Sequence, residues 1–478
     1  MVKSLRSPII EEVDTELSPA EAFELLRDEP FSFFLDSGMD PHKLGRYSFI
    51  GSRPFLVLSS RGDEVTITQG THKSRQKGNP FDIIGQLLEV YRLDCHSPPV
   101  PLVGGAVGYL SYDLCHFIEK LPTTALDDLG LPECYFGFYD LVIAFDNLAD
   151  KTYIVSTGFP ETEKAKRKAR AIERLAEAKA LLGEAPNPAI SQEAPPQTEP
   201  LSLKGNFTRQ EYIDAVEKAR QYIIDGDIFE VNLSQRFQTE LGITPYQLYK
   251  RLRNINPAPF AAYLGLEDVT VVSASPERFI RLREDRVETR PIKGTRPRGG
   301  NNKEDEALAN ELLSSEKDRA ENIMIVDLER NDLGRVCRYG TVKVTELAIL
   351  EVFPTVFHLT STVVGRLNEG KNGIDLLKAT FPGGSITGAP KVRSMEIIDE
   401  LEPTRRSAYT GSIGYLGFNG DLDLNIVIRT FIIKDNRAYF QVGGAVTYDS
   451  DPEAEYRETL DKARALMDAL DLSMAQVK

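Results

Sequence analysis

Several stretches of this chain put reactive side chains at spacings that could do chemistry. Glu455, Glu458 and Lys462 fall at i, i+3 and i+7, which on a helix is one face. Asp318 and Glu321 lie three apart, just before the apolar run Ile323-Met324-Ile325-Val326. Carboxylates from two helices suit Mg²⁺, which keeps waters and takes one or two protein carboxylates. Solvated helix faces with ordinary ion pairs are the plainer alternative. Lys293 stands in Arg290-Pro291-Ile292-Lys293-Gly294-Thr295-Arg296-Pro297-Arg298. A lysine that is desolvated, or beside other cations, loses its proton more easily and becomes a nucleophile. The plainer reading of the same stretch is a solvated basic loop or an anion clamp built on Arg296 and Arg298. Gly383 to Lys391 (GGSITGAPK) leads into a helix and could offer backbone N–H groups to an anion. It lacks the Walker order, and a plain turn is the alternative. Gly443-Gly444-Ala445 follows a strand and could bring backbone close to a ligand.

These residues need elements to hold them. Residues 314–328, 391–400 and 452–470 read as helices. So does Thr208 to Asp225, with Thr208 as N-cap and Glu211 three residues on. Residues 31–35, 55–59, 64–68, 153–156, 229–239, 269–273, 413–418, 426–433 and 437–443 read as strands. Strands come in hairpin-like runs rather than strict βαβ alternation. The expected class is therefore α+β, with large, mostly antiparallel sheets flanked by helices. A helical segment, 160–183, is followed by a segment with prolines at 186, 188, 195, 196 and 200. That composition predicts a linker over 184–200. It divides a strand-rich N-terminal region, 1–183, from a C-terminal region, 201–478, that holds the reactive stretches.

Composition narrows the class of partner. The chain has 478 residues and a formal net charge of −15. That charge argues against a nucleic-acid or anionic-membrane surface, though not against an anionic substrate met by local cations. The four cysteines, 95, 115, 134 and 337, form no C-x-x-C pair. They read as reduced thiols of a cytoplasmic protein rather than a zinc or redox site. There is no apolar leader at the N-terminus and no bilayer-length apolar run.

At these same residues the chain resembles the chorismate-utilising enzyme family. That family includes anthranilate synthase component I, aminodeoxychorismate synthase component I and the isochorismate and salicylate synthases. The likeness is strong from about Asn206 to Leu470. It is carried by residues 291–298, by 318–335 (DRAENIMIVDLERNDLGR), by 383–393 (GGSITGAPKVR), and by 409–417, 426–430 (IVIRT) and 442–462. The resemblance implies an anthranilate-synthase-like chorismate-binding fold with Mg²⁺ as cofactor. Glu321 and Glu458 would hold the metal, with Asp318 and Glu455 close by. Gly294, Thr295, His358, Ser385, Tyr409, Arg429, the Gly443, Gly444 and Ala445 backbone, and Lys462 would bind chorismate. Arg429 would pair a carboxylate bidentately. Glu277, in Ser275-Pro276-Glu277, would be the general acid for the departing hydroxyl.

Within the family, position 293 discriminates. The resemblance implies a small residue there in anthranilate synthases and a lysine in the aminodeoxychorismate branch. Lys293 would attack C2 while the C4 hydroxyl leaves, and ammonia would then displace it at C4. The expected product is 4-amino-4-deoxychorismate, on the way to 4-aminobenzoate and folate. Isochorismate-type members carry a water-activating lysine where this chain has Glu230, and amine-forming members often carry Gln there, so Glu230 departs from both. Leu35, Asp36, Ser37 and Pro259 resemble the family's tryptophan pocket, or else pack in the N-terminal core. No cysteine stands in a Gly-x-Cys-x-Gly turn, so a separate glutamine amidotransferase subunit is the expected ammonia source. Two other readings stay open: an anthranilate synthase or dual-pathway enzyme on the same scaffold, and a non-catalytic chorismate-binding regulator.

Overall fold

The computed structural model describes residues 6–184, 202–354 and 356–472. Apart from Glu184, the expected linker lies outside these residues. The rest folds as expected for an α+β chain: two twelve-stranded sheets, antiparallel at every strand pair, flanked by helices.

The sheets face each other. Central strands such as Gly105–Leu110 and Cys134–Tyr139 are buried along their whole length, because apolar residues occupy both of their faces. Aromatic side chains bridge the two layers: Phe33 meets Tyr139 at 4.6 Å and Phe49 meets Tyr415 at 5.7 Å between ring centroids. Such edge-on pairs add to simple area burial. The first sheet's outer face carries a second core, where Phe23, Tyr246, Tyr249, Leu466 and Met467 of the covering helices pack.

Both sheets run through both regions of the chain. Ala261–Leu264 pairs with Phe33–Asp36 in one sheet, and Ser412–Gly417 pairs with Gly105–Leu110 in the other. The N-terminal segment thus contributes strands to the same two layers as the rest.

Local sequence explains the elements that matter for the site. Helix Glu316–Gly334 is capped by Ser315, whose hydroxyl accepts the Asp318 N–H. Helix Pro452–Ala469 is capped by Asp451, with Pro452 at its first position and Glu453 and Glu455 in its first turn, where acidic residues suit the helix dipole. Helix Arg209–Ile224 has the Thr208/Glu211 capping box that its sequence predicts. One expected strand is shorter than its pattern suggests. Of residues 426–433, only the end is extended, within Thr430–Lys434, because Arg429 takes a left-handed conformation at φ 53°. For a long side chain that conformation is uncommon and strained.

Candidate functional site

The reactive residues converge where strands from both sheets meet the helices Glu316–Gly334 and Pro452–Ala469. Lys293 comes from the strand Ile292–Pro297. This strand pairs with Val356–Arg366, and the register shifts between Ile292 and Thr295. The irregularity depends on Gly294, at φ 89°, whose backbone lies so close to the helix Glu316–Gly334 that a Cβ would stand 3.1 Å from the Asp318 Cβ. Only glycine meets both conditions without strain. Bulged strands redirect side chains, and Lys293 is buried, 7 % exposed.

Its Nζ donates to Glu230 Oε1 at 2.5 Å. Glu230 opens the strand Glu230–Glu240 and is fully buried, and its Oε2 has no hydrogen-bond partner. Burial pulls the Lys293 amine down, but Glu230, Glu321 and Glu277 outweigh that and hold it above its ordinary value. The sequence expectation was a lysine eased toward neutrality by desolvation or neighbouring cations. The structure surrounds it with carboxylates instead, so it rests as an ammonium.

Glu277 lies between the strands Thr270–Ser275 and Arg278–Arg283. Its Oε1 accepts from Ser385 Oγ at 2.6 Å and from the Ile292 N–H at 3.3 Å. Burial nevertheless raises its carboxyl from 4.5 to about 7, so it keeps a proton near neutrality. The 383–391 loop is tied to the helix Glu316–Gly334. The Gly384 N–H donates to Glu329 Oε1 at 3.0 Å, and Lys391 reaches back to Asp332 and to the carbonyls of Thr380 and Pro382. The loop presents Ser385 Oγ to Glu277.

The opposite side is cationic. Arg429 is half-buried, and among the described residues its guanidinium has neither an acceptor nor a carboxylate partner. Burial draws it below its ordinary value, with Tyr409 opposing. A half-buried, unpaired guanidinium calls for an anion. Tyr409 and His358 lie within its field. His358 is buried, and burial lowers its pKa to about 3, so the ring is neutral. Its Nδ1 is 2.8 Å from Thr295 Oγ1. Lys462 Nζ donates to the Gly443 carbonyl at 2.9 Å and pairs with Glu458 at 2.7 Å.

The two acidic helices look into one space. Lys317, on the first helix, is felt by Glu321 and also by Glu455 and Glu458 on the second. Gly444 runs against the second pair: a Cβ there would sit 3.2 Å from Glu455 Oε2 and 3.5 Å from Glu458 Oε1. Glu321 Oε1 and Glu455 Oε2 are buried without hydrogen-bond partners. Burial raises the Glu321 carboxyl to about 7, whereas Lys462 holds Glu458 below its ordinary value. Orphaned hard oxygens beside an anionic carboxylate fit a divalent cation that keeps much of its water. Among the described residues no three His, Cys, Asp or Glu side chains form a ready cage. Asp318 is turned aside, with Oδ2 held by Arg296 at 3.1 Å.

A separate cavity of about 280 Å³ is lined by Leu35, Asp36, Ser37 and Pro259, together with Arg278, Tyr415 and Asn425. The Asp36 carboxylate is already engaged, by Tyr249 at 2.7 Å and Arg253 at 2.6 Å. Ser37 Oγ donates to the Tyr47 carbonyl at 2.6 Å.

Sequence reasoning did not foresee two participants. One is Glu230 as the partner of Lys293; its only signal was an acid where a glutamine is usual in the amine-forming branch. The other is Glu329, a buried carboxyl raised to about 7 by burial, within the field of Glu277. Its signal was a further acidic position on the Asp318–Glu321 helix.

Comparison with known proteins identifies the family. A family described as chorismate binding enzyme matches residues 16–468. Aminodeoxychorismate synthase component 1 of Bacillus subtilis is 43 % identical over 91 % of each chain. Anthranilate synthase component 1 of Acetivibrio thermocellus is 41 % identical over 97 % of this chain and 95 % of its own. The crystal structure of anthranilate synthase component I from Streptococcus pneumoniae superposes with a TM-score of 0.78 at 33 % identity, covering 90 % of this chain and 95 % of that one. With residues 16–468 matched and the site assembled from both sheets, the chain belongs to the chorismate-binding enzyme family.

Proposed function

We propose that the chain aminates chorismate at C4, giving 4-amino-4-deoxychorismate, with Lys293 as a transient covalent nucleophile. The observation that carries this reading is the position of Lys293: buried, bonded to Glu230, and within the fields of Glu277, Glu321 and Glu458. Arg429 would take a substrate carboxylate, and Tyr409, Thr295, Ser385 and the 443–445 backbone would orient the ring. Bound Mg²⁺, held by Glu321 and Glu458 with Glu455 near it, would polarise a carboxylate of chorismate. Asp318 would join that shell only by leaving Arg296.

Lys293 Nζ would attack C2 as the C4–O bond breaks, and Glu277, protonated near neutrality, would give its proton to the leaving hydroxyl. Ammonia would then form the bond at C4 and expel the lysine, and Glu277 would recover a proton from the new ammonium. In sum, chorismate and ammonia give the amino product and water.

Relatives named aminodeoxychorismate synthase component 1, at 43 % and 41 % identity, support this reading. Relatives named anthranilate synthase component 1 are about as similar, so the choice of product rests on the lysine at 293. Ammonia would come from a separate glutamine amidotransferase subunit, with ammonium as substitute. The deciding experiment is product analysis with chorismate, Mg²⁺ and ammonium, with and without an aminodeoxychorismate lyase. 4-Aminobenzoate formed only with the lyase is the expected result. Fluorescent anthranilate formed without it refutes the reading in favour of the anthranilate branch. Binding of chorismate without turnover leaves only the regulator.

A further inference from the structure

A protonated lysine cannot attack a carbon, so the reading above leaves one proton unaccounted for. Among the described residues Lys293 Nζ makes one hydrogen bond, to Glu230 Oε1 at 2.5 Å, and both side chains are withdrawn from solvent, at 7 % and 0 % exposure. The other groups facing the amine are Glu277, ahead of the Arg278–Arg283 strand, Glu321 on the Glu316–Gly334 helix and Glu458 on the Pro452–Ala469 helix. None of these three is recorded within ion-pair distance of Nζ. Glu230 itself faces Lys293, the Asn232 amide at 3.5 Å and the field of Glu321. Its second oxygen, Oε2, is buried and unpartnered. Glu230 is thus a carboxylate with one oxygen free and the other touching the atom that must lose a proton.

We propose that Glu230 is the base that frees Lys293 for attack, storing the proton until the lysine departs. The inference rests on the covalent reading of Lys293. In the first step one N–H bond of the ammonium breaks and an O–H bond forms on Glu230, leaving a neutral amine beside a neutral acid. The amine's lone pair forms the bond to C2, and the C4–O bond breaks with a proton supplied by Glu277. After ammonia attacks C4, the C2–N bond breaks. The secondary ammonium leaves as an amine, Glu230 returns its proton, and the resting ion pair is restored. No oxidant or reductant is needed. Burial favours this exchange, because a low dielectric penalises the separated charges more than the neutral pair. It also explains an acid, rather than an amide, at this position: Gln could accept a hydrogen bond from the ammonium but could not take the proton.

The test reads the adduct directly. Wild type, Glu230→Gln, Glu230→Asp and Lys293→Ala are each incubated with chorismate and MgCl₂ without ammonium, quenched, and analysed by peptide mass at Lys293. The wild type should accumulate adduct, and Lys293→Ala should not. Glu230→Gln should form it about 10²- to 10⁴-fold more slowly at neutral pH, the usual worth of a general base, and Glu230→Asp should recover part of the rate. The ratio of Glu230→Gln to wild-type rates should climb about tenfold per pH unit, because bulk water then has to take the proton. Wild-type rate and pH profile in Glu230→Gln overturn the proposal and leave the covalent reading standing. So does a wild-type rate that rises tenfold per unit between about pH 5.5 and 7, a result that needs no folded variant. Absence of any adduct in wild type overturns the covalent reading itself, and this inference with it.

Discussion

Lys293 sits among carboxylates rather than cations, so its nucleophilicity has to be released rather than left standing. That arrangement separates two roles that one substitution would confound. Lys293→Ala removes the nucleophile, and amine formation should fall by several orders of magnitude in a lyase-coupled assay. It also leaves Glu230 buried without its partner, which costs about 3–5 kcal/mol when a buried pair is broken. Adding Glu230→Gln should restore the thermal midpoint but not the activity. A double variant as unstable as the single one would show that the pair contributes no such coupling. Glu277 gives the pH counterpart. Burial raises its carboxyl from 4.5 to about 7, so the folded state binds this proton more tightly than the unfolded chain does. Its stability contribution is therefore full below about 4.5 and lost as pH rises through about 7. As proton donor it should impose the same edge on kcat/KM for chorismate, which should fall with a one-proton slope above about pH 7. Loss of that edge in Glu277→Gln, along with most of the rate, is the expected confirmation.

A single strand irregularity aims the nucleophile. Gly294 combines φ 89° with a Cβ direction that points 3.1 Å from Asp318 Cβ and from the Leu312 side chain. Gly294→Ala should cost about 1–3 kcal/mol from the backbone alone, and more if the helix Glu316–Gly334 must retreat. Since Glu321 rides on that helix, the thermal midpoint and activity should fall together; an unchanged midpoint would count against this account. This scale also marks what the sequence could reveal. The carboxylate helices were legible, because three- and four-residue spacing maps directly onto a helix face, and a cap such as Thr208 is a local signal. The Lys293–Glu230 contact was not, because 63 positions separate the two residues and strand register across sheets leaves no periodic trace. The turn at Arg429 was hidden for a related reason. Its neighbours are apolar and β-prone, and only the packed site stabilises its left-handed backbone. Family likeness supplied the roles expected of Lys293, Glu277 and Arg429, yet it offered no role for Glu230.

The composition break near residue 184 suggests two regions, but the hydrogen-bonded layers ignore it. The N-terminal segment supplies Phe33–Asp36 to the interior of one sheet and Gly105–Leu110 to the interior of the other. The shared core follows the same rule: Phe33, Tyr139 and Phe49 from the first segment pack with Leu264, Ile280 and Tyr415 from the second. Cutting the chain at the linker would therefore expose two open strand edges on each piece, along with the apolar faces that now oppose each other, and such edges invite aggregation. Residues 1–184 and residues 202–478, produced separately, should each lack a cooperative thermal transition and precipitate. Produced together, they should assemble, because the severed connection closes a loop whose entropy grows only slowly with length, whereas the pairing across the sheets is unchanged. Amination activity should then return in the reassembled pair, since Lys293, Glu277, Arg429 and the carboxylate helices all lie on the second piece, while the first completes the two sheets that fix them. An independently folded, active 202–478 piece would show that the N-terminal strands are dispensable for placing the site. That outcome would shift the weight of positioning onto the helices and onto the Glu230–Glu240 and Arg437–Val446 pair alone.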